Sequence, residues 1–446
     1  MSLLPTRFPV ELLTMVFAQQ SPHDLASASL VCRQWQRAAF PHLYHTMYIS
    51  EYTHLEVLDE RLMKTDVPDS MSVQAHLKSL ILCGSNINYV DPAYLDSIVP
   101  QLVHLTCLYW ELPFTPAHFG PFAECPKLEA VHLVPLHMWH DDGWIERLPQ
   151  LLTFTNLTHF SLKFEPIPYD QDDEEELYDT IASFIQCSPN LESIIISFQD
   201  KDGFLECYSP NTILENLGDQ FVLPRLHTLH MLGAADPDWA SFASNPTHSF
   251  RSFLARHPTI KDLAIGCPTT AGRHGAFLCM DPDDLSRLLP SVKTLAFPSF
   301  MWQSIASSKL ASRLESIAIS NLAFVLDLNP LGSIAEAMGE NSFPNVRKVS
   351  ILVQLGCIPL TMDALEGFRL AAEGLEEVEF ELHIERATWY ERRKTQFRVV
   401  DGEWCFPPST GEDESEWDLG GYTVRDMSEQ ELSEEEPINA QAALSE

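Results

Sequence analysis

The stretch His137-Met138-Trp139-His140-Asp141-Asp142 places two imidazoles and two carboxylates within six residues. Those are side chains that bind zinc. No second ligand cluster joins them, so the stretch reads as a loop. Gly266 to Gly275, GCPTTAGRHG, is rich enough in glycine to cradle a phosphate, but no lysine follows to reach one, and it too reads as a loop. Asp170, Asp172, Asp173, Glu174, Glu175 and Glu176 could hold a cation or a basic peptide. The same charges also suit the start of a helix beginning near Leu177, where carboxylates favour the exposed N–H groups. Cys32, in SLVCRQWQRAAFPHLY, has Arg33 beside it to favour a thiolate. No motif supplies a histidine partner, and the helical pattern makes it a structural thiol. G-x-S-x-G, H-E-x-x-H, G-x-x-x-x-G-K-[ST] and C-x-x-C are all missing from the sequence. The expectation is a binding protein with no catalytic residue, no metal site and no cofactor.

Composition narrows the partner. The chain has 446 residues, with 63 acidic against 28 basic side chains and a formal charge of −35. That argues against nucleic acid, whose phosphates need a basic face. The ten scattered cysteines suit reduced, mostly buried thiols, hence a cytoplasmic or nuclear setting. Apolar runs fall short of the ~18 residues that cross a membrane. Pro5, Arg7, Pro9 and Glu11 interrupt any signal-peptide core, so no membrane association is expected.

One phrase recurs along the chain: apolar, two variable, apolar, one variable, apolar. It begins at Leu77, Leu105, Leu128, Leu157, Leu191, Leu226, Ile260, Val292, Leu314, Val346 and Leu375. The eleven phrases recur about every 30 residues, with helical stretches between them. Six have proline two residues ahead: Pro126, Pro189, Pro224, Pro258, Pro290 and Pro344. Proline there stops a helix and sets an extended entry to a strand. A short strand plus a helix cannot bury its own apolar face, so neighbours must stack. The pattern is that of leucine-rich repeats; an ordinary α/β domain with alternating strands and helices is the other reading.

The first fifty residues differ. Phe8 to Gln20 reads as a helix entered through Pro9, with Leu12, Leu13, Val16 and Phe17 on one face. Ser21 caps a second helix that turns Leu25 and Ala28 inward, with Asp24 near its start. A third helix carries Val31, Trp35 and Ala38 or Ala39 on one side and ends at Pro41. Three such helices hide too little surface to stand alone, and some of their apolar residues must remain exposed as an interface.

These residues carry a resemblance. Phe8-Pro9-Val10-Glu11-Leu12-Leu13, Val16-Phe17, Ser21-Pro22-His23-Asp24-Leu25 and Leu30-Val31-Cys32-Arg33-x-Trp35 follow an F-box in order and spacing. Phe8 stands where that family has leucine, and Gln20 where a leucine closes the first helix. With the repeats, the whole chain resembles F-box/leucine-rich-repeat proteins of fungal type, the substrate receptors of cullin-RING (SCF) ubiquitin ligases. The resemblance implies docking on a Skp-type adaptor, and through it a cullin scaffold, with Pro9, Leu12, Leu13, Val16, Phe17, Leu25, Leu30, Val31 and Trp35 supporting that contact. Trp35 is also expected to join the third helix to the base of the repeats. The repeats would then select an unidentified protein substrate. A plain three-helix cap is the alternative for this segment. A leucine-rich-repeat scaffold that engages no ligase is the alternative for the chain, and Gln20 is the feature behind it.

The expected fold is therefore α/β: a three-helix F-box over 1–50, a connecting helix and cap over 51–75, and a curved solenoid over 76–383 with a concave parallel sheet and convex helices. A cap hairpin over 384–408, turning at Asp401-Gly402, and an acidic tail over 409–446 complete it. Ser428 and Ser433, each followed by acidic residues, resemble acidophilic-kinase sites. The working surface is expected on the concave sheet: Cys107, Tyr109, Glu111, His132 and His159 on early strands, small residues such as Ser193, Ser197 and Ala264 in the middle, and Glu377, Glu379 and Glu381 at the end. Those glutamates would favour a basic partner. Loop tryptophans Trp139, Trp144, Trp239 and Trp302 either anchor a bound protein or plug the core.

Overall fold

The computed structural model describes residues 9–63, 71–83, 90–112, 116–134, 149, 152–164, 171–198, 208–235, 237–268, 280–298, 301–322, 330–354, 362–386, 389–400 and 403–405. The expectations for 137–142, Trp144, 269–279, the Asp401-Gly402 turn, Ser428 and Ser433 lie outside these residues. The chain divides into two compact units, Met1–Phe297 and Pro298–Glu446.

The first unit opens with three helices, α1 (Val10–Phe17), α2 (Pro22–Ser29) and α3 (Arg33–Leu43). Pro9 is the N-cap of α1, where its missing N–H leaves no bond unmade. The Ser21 hydroxyl accepts from the Asp24 N–H and caps α2. Leu13, Phe17, Leu25, Ala38 and Ala39 form a small core, with Ala28, Trp35 and Leu43 packed on it. Phe17 meets Trp35 edge-on, with ring centroids 5.5 Å apart. Three expectations change here. Helix α3 runs through Pro41 to Leu43, so the proline is absorbed into the last turn rather than ending the helix. Val31 precedes α3 and is exposed rather than inward-facing. The joint to the repeats is made by Phe40, whose ring lies 5.9 Å from that of His76, while Trp35 belongs to the three-helix core.

Strands then alternate with helices. In order they are β1 (Thr46–Ile49), α4 (Tyr52–Leu62), α5 (Val73–His76), β2 (Ser79–Cys83), α6 (Pro92–Ile98), β3 (Cys107–Glu111), α7 (Pro116–Ala123), β4 (Ala130–Leu133), β5 (His159–Phe164), α8 (Gln171–Gln186), β6 (Ser193–Phe198), α9 (Pro210–Leu217), β7 (Thr228–Ala235), α10 (Ser249–Arg256), β8 (Asp262–Pro268), α11 (Pro282–Leu288) and β9 (Thr294–Pro298). Every neighbouring pair from β1 to β9 is parallel and consecutive in sequence. Helix starts follow local chemistry. Asp91, Ser209 and Asp281 cap α6, α9 and α11, each followed by proline in the first turn. Helix α8 begins at Gln171, six residues before the expected Leu177, because the acidic residues 172–176 form its opening turns.

The recurring phrase explains the stacking. In the phrase that opens at Leu77, Leu77, Leu80 and Leu82 are all buried, and every later phrase is buried in the same way through Leu375 and Val378. Alternate strand residues face away from that core, as the two-residue period of a strand requires. Each such leucine contributes roughly 1.5–3 kcal/mol by leaving water. A carbonyl ladder sets the spacing. The His45 carbonyl accepts from both Lys78 and Ser79 N–H at 3.0 Å. Lys78, Thr106, Glu129, Thr158, Glu192, His227 and Lys261 carbonyls do the same for the next repeat.

The second unit contains α12 (Trp302–Ala306), β10 (Ser316–Leu322), α13 (Pro330–Met338), β11 (Lys348–Gln354), α14 (Met362–Ala371), β12 (Glu377–Arg386), β13 (Trp389–Val400) and β14 (Glu403–Cys405). Strands β10 to β12 are parallel. Then β13 turns back antiparallel along the whole of β12, and β14 pairs antiparallel with β13. The last repeat strand thus runs to Arg386, past the expected boundary at 383.

Candidate docking surfaces

On the three-helix module, the apolar residues divide into two sets. Leu13, Phe17 and Leu25 are buried, and Trp35 is half-buried. They shape the module and, contrary to expectation, the first three offer no surface to a partner. Leu12, Met15 and Val16 stand outward at helical spacing on α1, and Val10 and Pro9 are also exposed. Leu30 and Val31, in the turn between α2 and α3, are 86% and 63% exposed. Two adjacent apolar side chains this open, beside an apolar stripe on a neighbouring helix, form a surface suited to burial by another protein. Gln20 is exposed in the turn after α1, so its departure from the family pattern does not open the small core. Cys32 caps α3 with an exposed thiol and Cys187 is exposed as well, so the thiols are less buried than expected.

The second surface is the open face of the sheet in the first unit. The register sets Tyr109 of β3 beside His132 of β4, and His132 beside Ser161 of β5. Tyr109 and His132 rings lie 6.1 Å apart, and the Tyr109 hydroxyl donates to Glu111 Oε2 at 3.1 Å. His159 lies on β5 beside Ala130, one step along the same face. Burial pushes the His132 pKa down, and the nearby His159 pushes it further. On β7 and β8, His230 Nε2 sits 3.0 Å from Asp262 Oδ1. Ser193 and Ala264, expected to be presented on this face, are buried. Among the described residues no group of three His, Cys, Asp or Glu side chains is poised to hold a metal ion.

The remaining expected contacts move inward. Trp239 is fully buried, because the 3-10 turn Pro237–Ala243 folds its indole onto Phe250 at 4.4 Å and Phe242 at 6.0 Å. In the second unit Trp302 is fully buried against Phe343 at 6.2 Å. Both plug the core instead of anchoring a partner. Glu379 is likewise buried, and Lys348 Nζ reaches both Glu379 at 2.6 Å and Glu377 at 3.1 Å. Burial pulls the Lys348 pKa down, but its hydrogen bonds to the two carboxylates outweigh this and hold it above its usual value. Lys348 offsets one of the two charges of the Glu377–Glu379 pair and engages both carboxylates within the sheet, which weakens the case for a basic partner at this point. Glu381 stands in register with Leu352 and Lys394. The sequence missed this Lys348 contact, although lysine opposite glutamate at matching phrase positions was its signal.

Comparison with known proteins bears on the first surface. Residues 6–50 match the F-box-like family, so an F-box-like domain occupies the N-terminus. No curated protein matches the chain. Among solved structures, the chain is similar to a protein in the yeast Rad7 and Elc1 complex at 13% identity and a TM-score of 0.41, covering 77% of this chain and 89% of that one. It is also similar to the leucine-rich repeat-containing protein LegL7 from Legionella pneumophila at 11% identity and a TM-score of 0.32, covering 75% and 93% respectively.

Proposed function

We propose that this chain is the substrate-recognition subunit of an SCF-type ubiquitin ligase. Its F-box-like domain docks on a Skp-type adaptor, and through it a cullin, while the repeats bind the target protein. The chain performs no bond chemistry. It raises the effective concentration of a target beside a ubiquitin-charged enzyme by linking two binding modules. A cytoplasmic or nuclear location follows from this role.

The observation that carries the reading is the F-box-like match over residues 6–50 coinciding with the open apolar set Leu12, Val16, Leu30 and Val31. The test is co-expression with a Skp-type adaptor, followed by measurement of complex formation and affinity. Leu12→Asp with Leu30→Asp removes two exposed anchors, each contributing roughly 1.5–3 kcal/mol if fully buried. Binding should weaken by about 100-fold or more, with the melting temperature of the free chain unchanged. Failure to form a complex, or a complex indifferent to this double substitution, refutes the ligase reading.

A further inference from the structure

The open sheet face of the first unit is unlike the rest of this acidic chain. Of the side chains that β2 to β9 turn to it, only Glu111, Lys163 and Asp262 carry a formal charge, although the chain as a whole carries −35. Depletion of charge is a mark of the buried centre of an interface. Glu111 accepts from Tyr109, and Asp262 sits against His230. Between them, on β4 and β5, stand His132 and His159, with Ser161 and Lys163 following on β5. From the strand spacing and rise, the two histidines are roughly 8 Å apart on the diagonal.

We propose that this part of the face seats an extended segment of the target protein and receives one of its carboxylate side chains between His132 and His159, with Tyr109 as the flanking aromatic contact. This rests on the reading that the repeats hold the target. Charge complementarity selects the occupant. Burial and the nearby His159 depress the protonation of His132 while the site is empty, and a carboxylate placed beside it opposes that effect. An imidazolium on either side donates a charge-assisted hydrogen bond to it. A phosphoryl group is the poorer fit. Planar, bidentate phosphate recognition uses arginine, and the strand residues facing this side include none.

The interaction is pH-dependent, with its sign set by the surrounding groups. His132 is faced by Tyr109, Cys107 and Glu111 from β3, and by His159, Ser161 and Lys163 from β5. Glu129 and Glu192 stand at the entrances of β4 and β6. Burial and His159 hold His132 toward its neutral form in the empty site. A bound carboxylate favours the protonated form, so binding must tighten as the pH falls from about 8 to about 6.

The experiment uses the full chain in complex with the adaptor and arrays of short random peptides. Their centres are fixed as Glu-Glu, Gln-Gln or paired phosphoserine. Preferential retention of the Glu-Glu array near pH 6, on the order of tenfold over Gln-Gln and shrinking near pH 8, is the expected result. His132→Ala with His159→Ala should abolish the preference. His132→Gln with His159→Gln, which keeps polar bulk but no charge, should remove its pH dependence. Melting temperature and adaptor co-elution, read on each variant, separate misfolding and failure of the adaptor reading from failure of this one. Equal retention of Glu-Glu and Gln-Gln, or indifference to both double variants in folded protein, overturns the proposal. Retention of the phosphoserine array alone overturns the choice of carboxylate.

Discussion

Four glycines of the first unit permit a separation of steric and conformational costs. Gly233, in β7, has φ +105°, and a Cβ built on it would lie 2.0 Å from the Phe198 carbonyl oxygen of β6. Gly266, in β8, needs no positive φ, but its Cβ would lie 2.2 Å from the Gly233 carbonyl oxygen. Gly218, at the end of α9, has φ +83° with open space around the added atom. Gly120, inside α7, has neither constraint. The first two sit where the β7–β8 register shifts between Met231 and Ala234, a bulge that brings the backbones together.

The expected costs follow. Gly218→Ala pays only for a backbone region that side chains avoid, about 1–3 kcal/mol. Gly266→Ala must push two strands apart by about 1 Å, which stretches two ladder hydrogen bonds worth about 1 kcal/mol each. Gly233→Ala incurs both penalties, about 3–5 kcal/mol. Gly120→Ala should stabilise by about 0.5–1 kcal/mol. At a few degrees per kcal/mol, Gly233→Ala should lower the melting temperature by on the order of 10 °C. Thermal unfolding followed by circular dichroism ranks the four. If Gly233→Ala costs no more than Gly218→Ala, the close approach to Phe198 is not a constraint and the reasoning fails.

Two other expectations concern single side chains. His257 accepts from the Leu223 N–H through Nε2 at 2.8 Å, and its Nδ1 lies 2.7 Å from the Phe253 carbonyl, so it is held neutral; burial lowers its pKa. Its contribution is complete above the unfolded pKa of about 6.5 and is lost as pH falls below it, so the melting temperature should drop on acidification, and less so in His257→Gln. Lys348→Met leaves the Glu379 carboxylate buried without its cation, at a cost of about 3 kcal/mol; denaturant unfolding measures it, and a double Lys348→Met, Glu379→Met variant should recover much of the loss.

The repeats were legible because the phrase is a direct image of burial. Leu128, Val131 and Leu133 must face inward if a strand follows a buried entry residue, whatever lies around them. Caps such as Ser21 were legible for the same local reason. What stayed hidden depends on the third dimension. The sequence around Trp239 looks like an exposed loop, and only the 3-10 turn returns it to Phe250. Gly233 stood in an unremarkable LGAA, since its need comes from Phe198, 35 residues earlier. Leu12 and Leu13 are chemically identical neighbours, and their different fates follow from helix rotation against α3, which the family pattern does not encode.

The way the N-terminal module joins the repeats bears on how the proposed function operates. A core of Leu13, Phe17, Leu25, Ala38 and Ala39 cannot hold three helices by itself. The module is instead continuous with the repeats. Helix α3 ends at Leu43, and two residues later the His45 carbonyl takes the first place in the ladder that spaces the strands. Phe40 meets His76, and Arg61 of α4 lies over the Tyr44 ring at 5.2 Å while donating to its hydroxyl. A flexible linker here would let a bound target sample many positions and dilute its effective concentration. A ladder-anchored joint fixes the distance from Leu12, Val16, Leu30 and Val31 to Tyr109, His132 and His159. On the proposed function, loosening it with a Gly-Ser insertion after Tyr44 should slow ubiquitin transfer to a bound target in a reconstituted ligase assay, while adaptor and target binding, each measured alone, stay unchanged.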